Sequence, residues 1–292
     1  MYMNHRYLYL WIVLLATIVV GCQNDVIGEF EADDSTLGDG SSVITLYTGK
    51  TDGVINLSVD APLSARANVW IDLDGNGTRA EDGSENVKTF NEYREYSLAG
   101  GVKRLSIHGD ITYLDGASNE LTEIDISNNP FLRVLNVPLN QLSSIDVSKN
   151  PSLERLDCSA NRIGKLDLSS NPALVSLWVF NNELSSLNLS NNGNLELLDC
   201  SGNKLSSLDL SANSQLKQLL CYNNALSALD VSNKEQLNRL WLFGNPVCGD
   251  AGEVENLLYD LNETINGDLW IGEANVNESM QTRSVTKGWI MQ

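Results

Sequence analysis

A pattern of 21 residues occurs seven times in succession in this chain, as in LERLDCSANRIGKLDLSSNPA at 153–173. The repeats begin at Ile111, Leu132, Leu153, Leu174, Leu195, Leu216 and Leu237. The fourth residue is always leucine: Leu114, Leu135, Leu156, Leu177, Leu198, Leu219 and Leu240. The ninth is always asparagine: Asn119, Asn140, Asn161, Asn182, Asn203, Asn224 and Asn245. One such unit cannot bury its own apolar face, so the units are expected to stack around a shared core.

The pattern inside each repeat predicts one short strand and two bends. Positions 1, 4, 6, 11, 14 and 16 are mostly apolar and are predicted to point inward. The asparagine at position 9 lies where the chain leaves the strand, and its amide can satisfy buried backbone groups there. Asn-Pro pairs at 129–130, 150–151 and 171–172 mark a second bend. Stacked turns would be spaced by about 4.8 Å, as parallel strands are.

The phrase L-x-x-L-x-C/V-x-x-N-x-L resembles the leucine-rich repeat, and the resemblance covers roughly half of the chain. It is most similar to the 21-residue class with a cysteine in the strand, as in internalin-J-like bacterial surface proteins. The resemblance implies an α/β-type right-handed solenoid dominated by short parallel β-strands. It also implies a concave strand face that binds other molecules.

The flanking regions have other patterns. Residues 43–101 contain five short runs (VITLYT, VINLSV, ANVWID, NVKTF and YREYSL) that predict a small antiparallel β domain. The solenoid is assigned to 102–248, with VKRLSIHGD at 102–110 as an abbreviated first turn. Residues 249–292 are expected to cap it with a helix in EVENLLYDL and strands in GDLWIG and VTKGWIM.

The N-terminus has the pattern of an exported lipoprotein. The apolar run at 7–20 is shorter than the about 20 residues of a membrane span and fits the core of a signal peptide. VVGC at 19–22 resembles a lipoprotein processing site, although Val19 stands where that family usually has leucine. We expect a signal peptide at 1–21, lipidation of Cys22 and an acidic flexible tether at 22–42. The alternatives are an uncleaved anchor and an ordinary signal peptide.

Gln23, directly after Cys22, is not the aspartate that resembles an inner-membrane retention signal, so an outer-membrane lipoprotein at the cell surface is expected. The lipid is then the chain's contact with the membrane. The net charge of −19 argues against nucleic acid as a partner, because a phosphate backbone needs a basic surface.

Four cysteines remain besides Cys22: Cys158, Cys200, Cys221 and Cys248. The first three share position 6, which Val137, Val179 and Leu242 fill in other repeats, so they are expected to be free packing thiols. Side chains on neighbouring parallel strands lie side by side, which suits disulfide geometry poorly. A zinc site is not expected, because the chain has no C-x-x-C pair.

Acidic residues recur at position 15, each followed two residues later by a serine: Asp125, Asp146, Asp167, Asp209 and Asp230. Carboxylates about 5 Å apart could serve a retaining glycosidase. An active site needs one unique pair, however, and this ladder is nearly the same in every turn. We expect these residues to satisfy backbone groups of the turns. With no nucleophile elbow, phosphate loop or metalloprotease helix in the chain, it is not expected to be an enzyme.

The segment DLDGNGTRAED at 72–82 resembles a calcium loop, with oxygen-bearing Asp72, Asp74 and Asn76 at loop positions 1, 3 and 5. Gly83 stands where the bidentate acid belongs, so Glu81, Asp82 or Glu85 would have to replace it. The predicted site consists of Asp72, Asp74, Asn76 and Asp82 with Ca²⁺, and no other cofactor is expected. The alternative is an acid-rich hairpin turn.

Positions 3, 5 and 7 of each repeat face away from the core, and their side chains are called the strand face from here on. This face becomes aromatic in the fourth, sixth and seventh repeats. The candidate ligand-binding residues are Trp178, Phe180, Leu197, Leu220, Tyr222, Arg239, Trp241 and Phe243. Together they could expose on the order of 400–600 Å² of apolar surface, which usually marks a contact site. Alternatively, the rings stack for stability or the C-terminal cap covers them.

These features favour a lipid-anchored surface protein that binds or adheres through its strand face. The expected partner is a protein on a host or neighbouring cell. A glycan is the runner-up, because tryptophan and tyrosine platforms also stack on sugars. A glycoside hydrolase is a remote alternative that depends on the aspartate ladder alone.

Overall fold

The computed structural model describes residues 38–264, 266–272 and 277–291. The expected signal peptide, Cys22 and the tether up to residue 37 lie outside the described residues. The strands are β1 (Val43–Thr48), β2 (Val54–Asp60), β3 (Trp70–Asp72), β4 (Arg94–Ser97), β5 (Arg104–His108), β6 (Tyr113–Asp115), β7 (Leu121–Asn128), β8 (Val134–Asn136), β9 (Arg155–Asp157), β10 (Ser176–Trp178), β11 (Leu197–Asp199), β12 (Gln218–Leu220), β13 (Arg239–Trp241), β14 (Gly267–Trp270) and β15 (Trp289–Met291). The helices are α1 (Ala251–Asp260) and α2 (Glu278–Thr286).

Each repeat contributes one strand of three residues, centred on its fourth position. The repeat strands β6 and β8–β13 are parallel neighbours in that order, and their register advances by one repeat per strand. Leu177, for example, lies between Leu156 and Leu198, and all three are fully buried. Each leucine is buried between the leucines of the preceding and the following strand. This burial favours stacking, because each turn completes the core of the next. The predicted solenoid of short parallel strands is confirmed.

The N-terminal region is antiparallel, as expected, but its strands β1 and β2 pair with β7 and β6 of the first repeat. β1 lies between β5 and β7 in a four-stranded sheet of order β3-β5-β1-β7. The expectation of an abbreviated solenoid turn at 102–110 is therefore wrong, because β5 pairs antiparallel with both β1 and β3. In turn, β2 pairs antiparallel with β6 and covers the open edge of the long sheet, which satisfies backbone groups that an edge strand leaves unpaired. NVKTF forms no strand and contributes only the isolated bridge between Trp70 and Asn86.

The C-terminal region continues the parallel sheet. β14 pairs in register with β13, and β15 pairs with β14, so two further strands follow the last repeat. Both helices begin with a side-chain cap: Asp250 accepts from the backbone N–H groups of Gly252 and Glu253, and Asn277 accepts from that of Met280. Trp289 of β15 is almost fully buried and closes the core. None of the helices in the described ranges is long and apolar enough to span a membrane.

The position-9 asparagines clamp each turn to the one before it. The amide nitrogen of Asn182 donates to the carbonyl of Cys158 at 3.0 Å and to that of Val179 at 3.1 Å. Its Oδ1 accepts from the backbone N–H of Ile163 at 2.9 Å. Neighbouring position-9 asparagines make the same pattern of bonds, so the predicted turn clamp is confirmed.

A second asparagine ladder lies at position 19, where the sequence indicated only a bend. Its members are fully buried: Asn129, Asn150, Asn171, Asn192 and Asn213. The Asn171 amide donates to the carbonyls of Val147 and Asn150, each at 2.9 Å. Lys234 occupies this position in the sixth repeat, where its ammonium group donates to the carbonyl of Ser232 instead. The ladder thus ends one turn before the cap begins.

The four cysteines in the described part of the chain are free and buried, as predicted for Cys158, Cys200 and Cys221. All three are fully buried, and desolvation raises the pKa of each thiol far above its ordinary value. Cys248, which the sequence left unassigned, is also buried, and its thiol donates to the carbonyl of Leu242 at 3.3 Å. Burial raises the pKa of the Cys248 thiol to about 11. These thiols fill the core and are poorly placed to act as nucleophiles.

Candidate functional site

Four aromatic rings meet on the strand face where the last repeats join the cap. Tyr222 and Phe243 stack at 4.6 Å between ring centroids, with 9° between their planes. Trp270 of β14 lies 4.4 Å from Phe243, and it meets Trp241 edge-on at 5.3 Å. The four rings belong to three consecutive turns and form one continuous cluster, called the aromatic cluster below.

Hydrogen bonds fix the tryptophan at the centre of this cluster. The indole N–H of Trp241 donates to Oδ2 of Asp268 at 3.0 Å, and Nε of Arg239 approaches the same oxygen at 3.3 Å. Arg239 also donates to Oε1 of Gln218 at 3.0 Å, and its guanidinium lies 5.7 Å from the centroid of the Trp241 ring system. Such a network holds the rings in one arrangement, which lowers the entropy that a partner would have to remove on binding.

All eight strand-face residues predicted from the sequence are half-buried. The aromatic members of the last two repeats shield one another, and Trp270 from the cap covers part of them. Stacking and partial coverage by the cap, the two structural alternatives, are thus both present. Trp178 and Phe180 lie apart from the aromatic cluster, on the fourth repeat. Ligand binding by the eight residues stays a prediction.

Towards the N-terminal end the strand face carries carboxylates instead of rings. At position 5, Trp178 lies in register between Asp157 of β9 and Asp199 of β11. Oδ1 of Asp199 accepts from the backbone N–H and the hydroxyl of Ser201 at 3.0 and 2.6 Å. Oδ1 of Asp157 is held by Ser159 in the same way at 2.9 and 2.6 Å. The two carboxylates therefore have fixed positions on either side of the indole.

Both carboxylates are shielded from solvent, to different degrees. Asp199 is only 8% exposed and Asp157 is half-buried. Desolvation raises the pKa of each to about 6, against the lowering effect of the serine hydrogen bonds. Negative charge farther along the column adds to this, from Asp115 on Asp157 and from Asp157 on Asp199. Burial likewise raises the pKa of Asp115.

The aspartates at position 15 behave differently and lie in exposed turns on the opposite side of the solenoid. Each accepts a hydrogen bond from the backbone N–H of the serine two residues later, as Asp167 does from Ser169 at 2.9 Å. Asn188 makes the same bond to Ser190, so a carboxylate is not required there. Bonds from Ser169 lower the pKa of Asp167, which leaves no raised acid for glycosidase chemistry in this ladder. The turn-stabilising role predicted for it is confirmed.

The loop after β3 brings together three acids that could hold a metal ion. Single carboxylate oxygens of Asp72, Asp74 and Glu85 all lie within 4.8 Å of one another. Asp72 is almost fully buried and accepts from the backbone N–H groups of Gly75 at 2.8 Å and Gly77 at 3.0 Å. Glu85, also buried, accepts from backbone N–H groups on both sides of the loop.

Of the predicted calcium ligands, Asp82 does not join this group, and Asn76 contacts it by donating its amide N–H to Oδ2 of Asp74 at 2.7 Å. The carboxylate of Asp82 is fully exposed, and hydrogen bonds from the side chain and the backbone N–H of Ser84 lower its pKa. Asn76 directs its Oδ1 to the backbone N–H and hydroxyl of Thr78. Glu85, which the sequence raised only as a substitute, takes the place that was assigned to Asp82. Calcium binding itself stays a prediction, now with Asp72, Asp74 and Glu85 as its ligands.

If this loop binds Ca²⁺, the ion should raise the melting temperature by a few degrees at about 1 mM, the range of extracellular calcium modules. Asp74→Asn should remove this shift, because Asp74 is the exposed member of the group and is the least involved in the fold. Asp82→Asn, with the same change in charge, should keep it. Scanning calorimetry with and without Ca²⁺ measures the shift. An unchanged melting temperature at about 10 mM Ca²⁺ would identify the loop as a structural turn.

Sequence reasoning missed Trp270 and the buried carboxylates of the strand face. A signal for Trp270 existed, because DLWI at 268–271 repeats the pattern of RLWL at 239–242 in the last repeat. Asp157 and Asp199 were visible at position 5, but their burial depends on neighbouring turns that the repeat pattern does not specify.

Comparison with known proteins gives structural relatives. No protein-family model matches the chain, and no curated protein matches it. A functional domain of InlJ from Listeria monocytogenes, which includes a cysteine ladder, is 36% identical over 46% of this chain and 35% of that chain, with a TM-score of 0.40. A leucine-rich-repeat protein of Leptospira interrogans is 29% identical over 47% of this chain and 37% of that chain, with a TM-score of 0.44.

A third structure, the internalin InlF of Listeria monocytogenes, is 22% identical over 57% of this chain and 48% of that chain, with a TM-score of 0.50. This likeness shows the fold, a leucine-rich-repeat solenoid, as the sequence predicted. In all three cases the match spans less than half the length of the other protein.

Proposed function

We propose that this leucine-rich-repeat solenoid works by binding another protein through its strand face. The aromatic cluster of Tyr222, Trp241, Phe243 and Trp270 is the observation that carries the proposal. Aromatic residues and arginine are enriched in protein interfaces and supply most of their hot spots. The hydrogen bonds from Trp241 and Arg239 to Asp268 keep this cluster ordered before a partner arrives.

The test compares three alanine variants for capture of a partner. The chain, immobilised and incubated with surface-labelled host or neighbouring bacterial cells, should retain a defined protein. Trp241→Ala and Trp178→Ala should each weaken its capture about 30-fold or more, as expected at an interface hot spot. Tyr259→Ala, an exposed aromatic on α1 away from the strand face, should bind like the parent. Equal capture by both tryptophan variants and the parent would refute a role for the strand face.

A glycan is the second candidate, because the same rings could stack on a sugar. Ring centroids 4.4–4.6 Å apart leave little room between the rings, so a sugar would have to lie across the outer edge of the cluster. A glycan array separates the two proposals. Binding to a defined sugar that Trp241→Ala abolishes would favour the glycan, and a blank array with retained protein capture would favour the protein.

We also propose that the chain is anchored through lipid on Cys22 and displayed at the outer surface of the outer membrane. The support is the VVGC pattern and the acidic segment that follows it. Cys22→Ser should move the protein from the membrane fraction to the soluble fraction and abolish labelling with a radioactive fatty acid. A C-terminal tag on the parent should be reachable by antibody on intact cells. A tag reached only after permeabilisation would place the protein in the periplasm.

A further inference from the structure

Trp178 occupies an unusual setting on the strand face, between two acids that the chain does not neutralise. In the part of the chain that the structure describes, no lysine or arginine forms an ion pair with Asp157 or Asp199. Other acids near this face do have such partners: Glu154 pairs with Arg133 at 2.7 Å, Glu196 with Lys217 at 2.7 Å and Asp268 with Arg239 at 3.3 Å. Asp157 and Asp199 thus differ from these three neighbouring acids.

The serine bonds use only part of the acceptor capacity of these two acids. Asp199 is more than nine-tenths buried, and Ser201 engages only its Oδ1, so Oδ2 has no hydrogen-bond partner among the described residues. Asp157 has the same arrangement with Ser159. A buried carboxylate without a counter-ion destabilises the folded chain unless something outside it supplies the charge.

We propose that this part of the strand face, the Trp178 subsite, binds an arginine or lysine side chain of a basic protein segment. The cationic group would lie over the indole of Trp178, between the carboxylates of Asp157 and Asp199. This inference rests on the proposed function and names the chemistry of the partner.

The geometry fits one cationic group. Neighbouring strands are about 4.8 Å apart, so the two acids lie about 10 Å apart, with the indole midway. A cationic group above the indole would be displaced by about 5 Å along the sheet from the strand of each acid. It would also lie within the about 6 Å of the ring over which cation–π attraction acts. A single Ca²⁺ could not bridge the two acids, because its ligands lie at about 2.3–2.6 Å.

Charge favours the same class of partner. The chain carries a net charge of −19, which would steer a basic segment towards it. Arg155, two positions before Asp157 on β9, is a cation on the same face. The acids outnumber it in this column, since Asp115 extends the series towards the N-terminal end.

The experiment uses a hexa-arginine peptide as probe and its hexa-citrulline counterpart, which has nearly the same shape without charge. Binding to the full chain is measured by calorimetry in about 0.15 M salt, where surface attraction is screened beyond about 8 Å. The double variant Asp157→Asn/Asp199→Asn removes the two acids of the subsite. Asp167→Asn/Asp209→Asn removes two exposed acids from the opposite side and changes the net charge by the same amount.

We expect hexa-arginine to bind at least tenfold more tightly than hexa-citrulline. The first double variant and Trp178→Ala should each weaken hexa-arginine binding at least tenfold, and the second double variant should change it less than twofold. An equal loss in both double variants would show attraction to overall charge and overturn the proposal. Unchanged affinity in Asp157→Asn/Asp199→Asn, or equal binding of the two peptides, would also overturn it.

The fold and the broader function are checked separately. Asparagine at positions 157 and 199 removes buried charge, so this variant should fold, and its circular dichroism spectrum should match that of the parent. If it still loses no hexa-arginine affinity while Trp241→Ala abolishes capture of the cell-surface partner, the Trp178 subsite is wrong and the proposed function stands. If partner capture survives both tryptophan variants, the proposed function fails, whatever the peptides do.

Discussion

Replacing Asn182 with alanine should lower the free energy of unfolding by about 2–5 kcal/mol. The side chain is 8% exposed and bonds twice to the preceding turn: its Oδ1 accepts from the N–H of Ile163, and its amide donates to the carbonyl of Cys158. Alanine leaves the N–H of Ile163 without a partner, which costs roughly 1–3 kcal/mol. It also removes the bonds to the carbonyls of Cys158 and Val179, each of which contributes about 0.5–1.5 kcal/mol, although Asn161 still donates to the Cys158 carbonyl. Chemical denaturation followed by circular dichroism measures the loss.

Asn194→Ala is the matched control. Asn194 is exposed and donates to the carbonyl of Pro172 at 3.1 Å, a bond that water can replace. Its removal should change stability by less than about 0.5 kcal/mol, as surface substitutions usually do. If the two variants lose equal stability, the position-9 asparagine is only a bend-forming residue and the clamp contributes nothing.

The solenoid could be predicted because its determinants are local and repeated. Leucine at position 4 and asparagine at position 9 recur every 21 residues, and the strand register follows from that period alone. The second ladder was less visible. Asn171 precedes a proline, which suggested a bend, but its amide also links its own turn to the preceding one through the carbonyls of Val147 and Asn150. That role needs the stacked geometry, which one repeat does not reveal.

The N-terminal topology could not be predicted for a different reason. β1 pairs with β7, which is distant in the sequence. The hydroxyl of Thr48, at the end of β1, donates to the carbonyl of Asn119, just before β7, and these two residues are 71 positions apart. Alternating apolar residues predict strands, but they do not specify partners so far apart in the chain. The same holds for Glu85, which joins the acids of the 72–77 loop because the chain returns past β3.

The sequence predicted where the strand face lies, but it predicted the burial of its side chains only in part. Side chains at position 5 were expected to face outward, and in Trp241 they do so as part of an aromatic cluster. The sequence did not show that Asp199, at the same position, would be buried. Its burial comes from large neighbours such as Tyr222, whose own pKa is raised by desolvation and then by the charge of Asp199.

The double variant Asp157→Asn/Asp199→Asn should be more stable than the parent at neutral pH, by about 2–4 kcal/mol. Both acids have a pKa of about 6 in the folded chain and an ordinary value of 3.8. The folded state therefore binds protons more tightly than the unfolded state does, so the parent gains stability on protonation. That stability is fully present below pH 3.8 and is lost as the pH rises through about 6. Asp199, the more buried of the two, should contribute the larger share.

Denaturation midpoints measured from pH 4 to pH 8 test this expectation. The variant and the parent should agree near pH 4 and diverge steadily up to about pH 7. The variant keeps Asp115 and Tyr222, but it removes the charge of Asp199 that helps to raise the pKa of Tyr222 and the repulsion between Asp115 and Asp157. The expected gain in stability therefore includes these couplings. Asp167→Asn/Asp209→Asn should show no such gain, since serine hydrogen bonds lower the pKa of both acids. Parallel curves for variant and parent would mean that Asp157 and Asp199 ionise as freely as in the unfolded chain. If the two stability curves diverge and the variant also loses hexa-arginine binding, then this chain gives up stability to keep two acids beside Trp178.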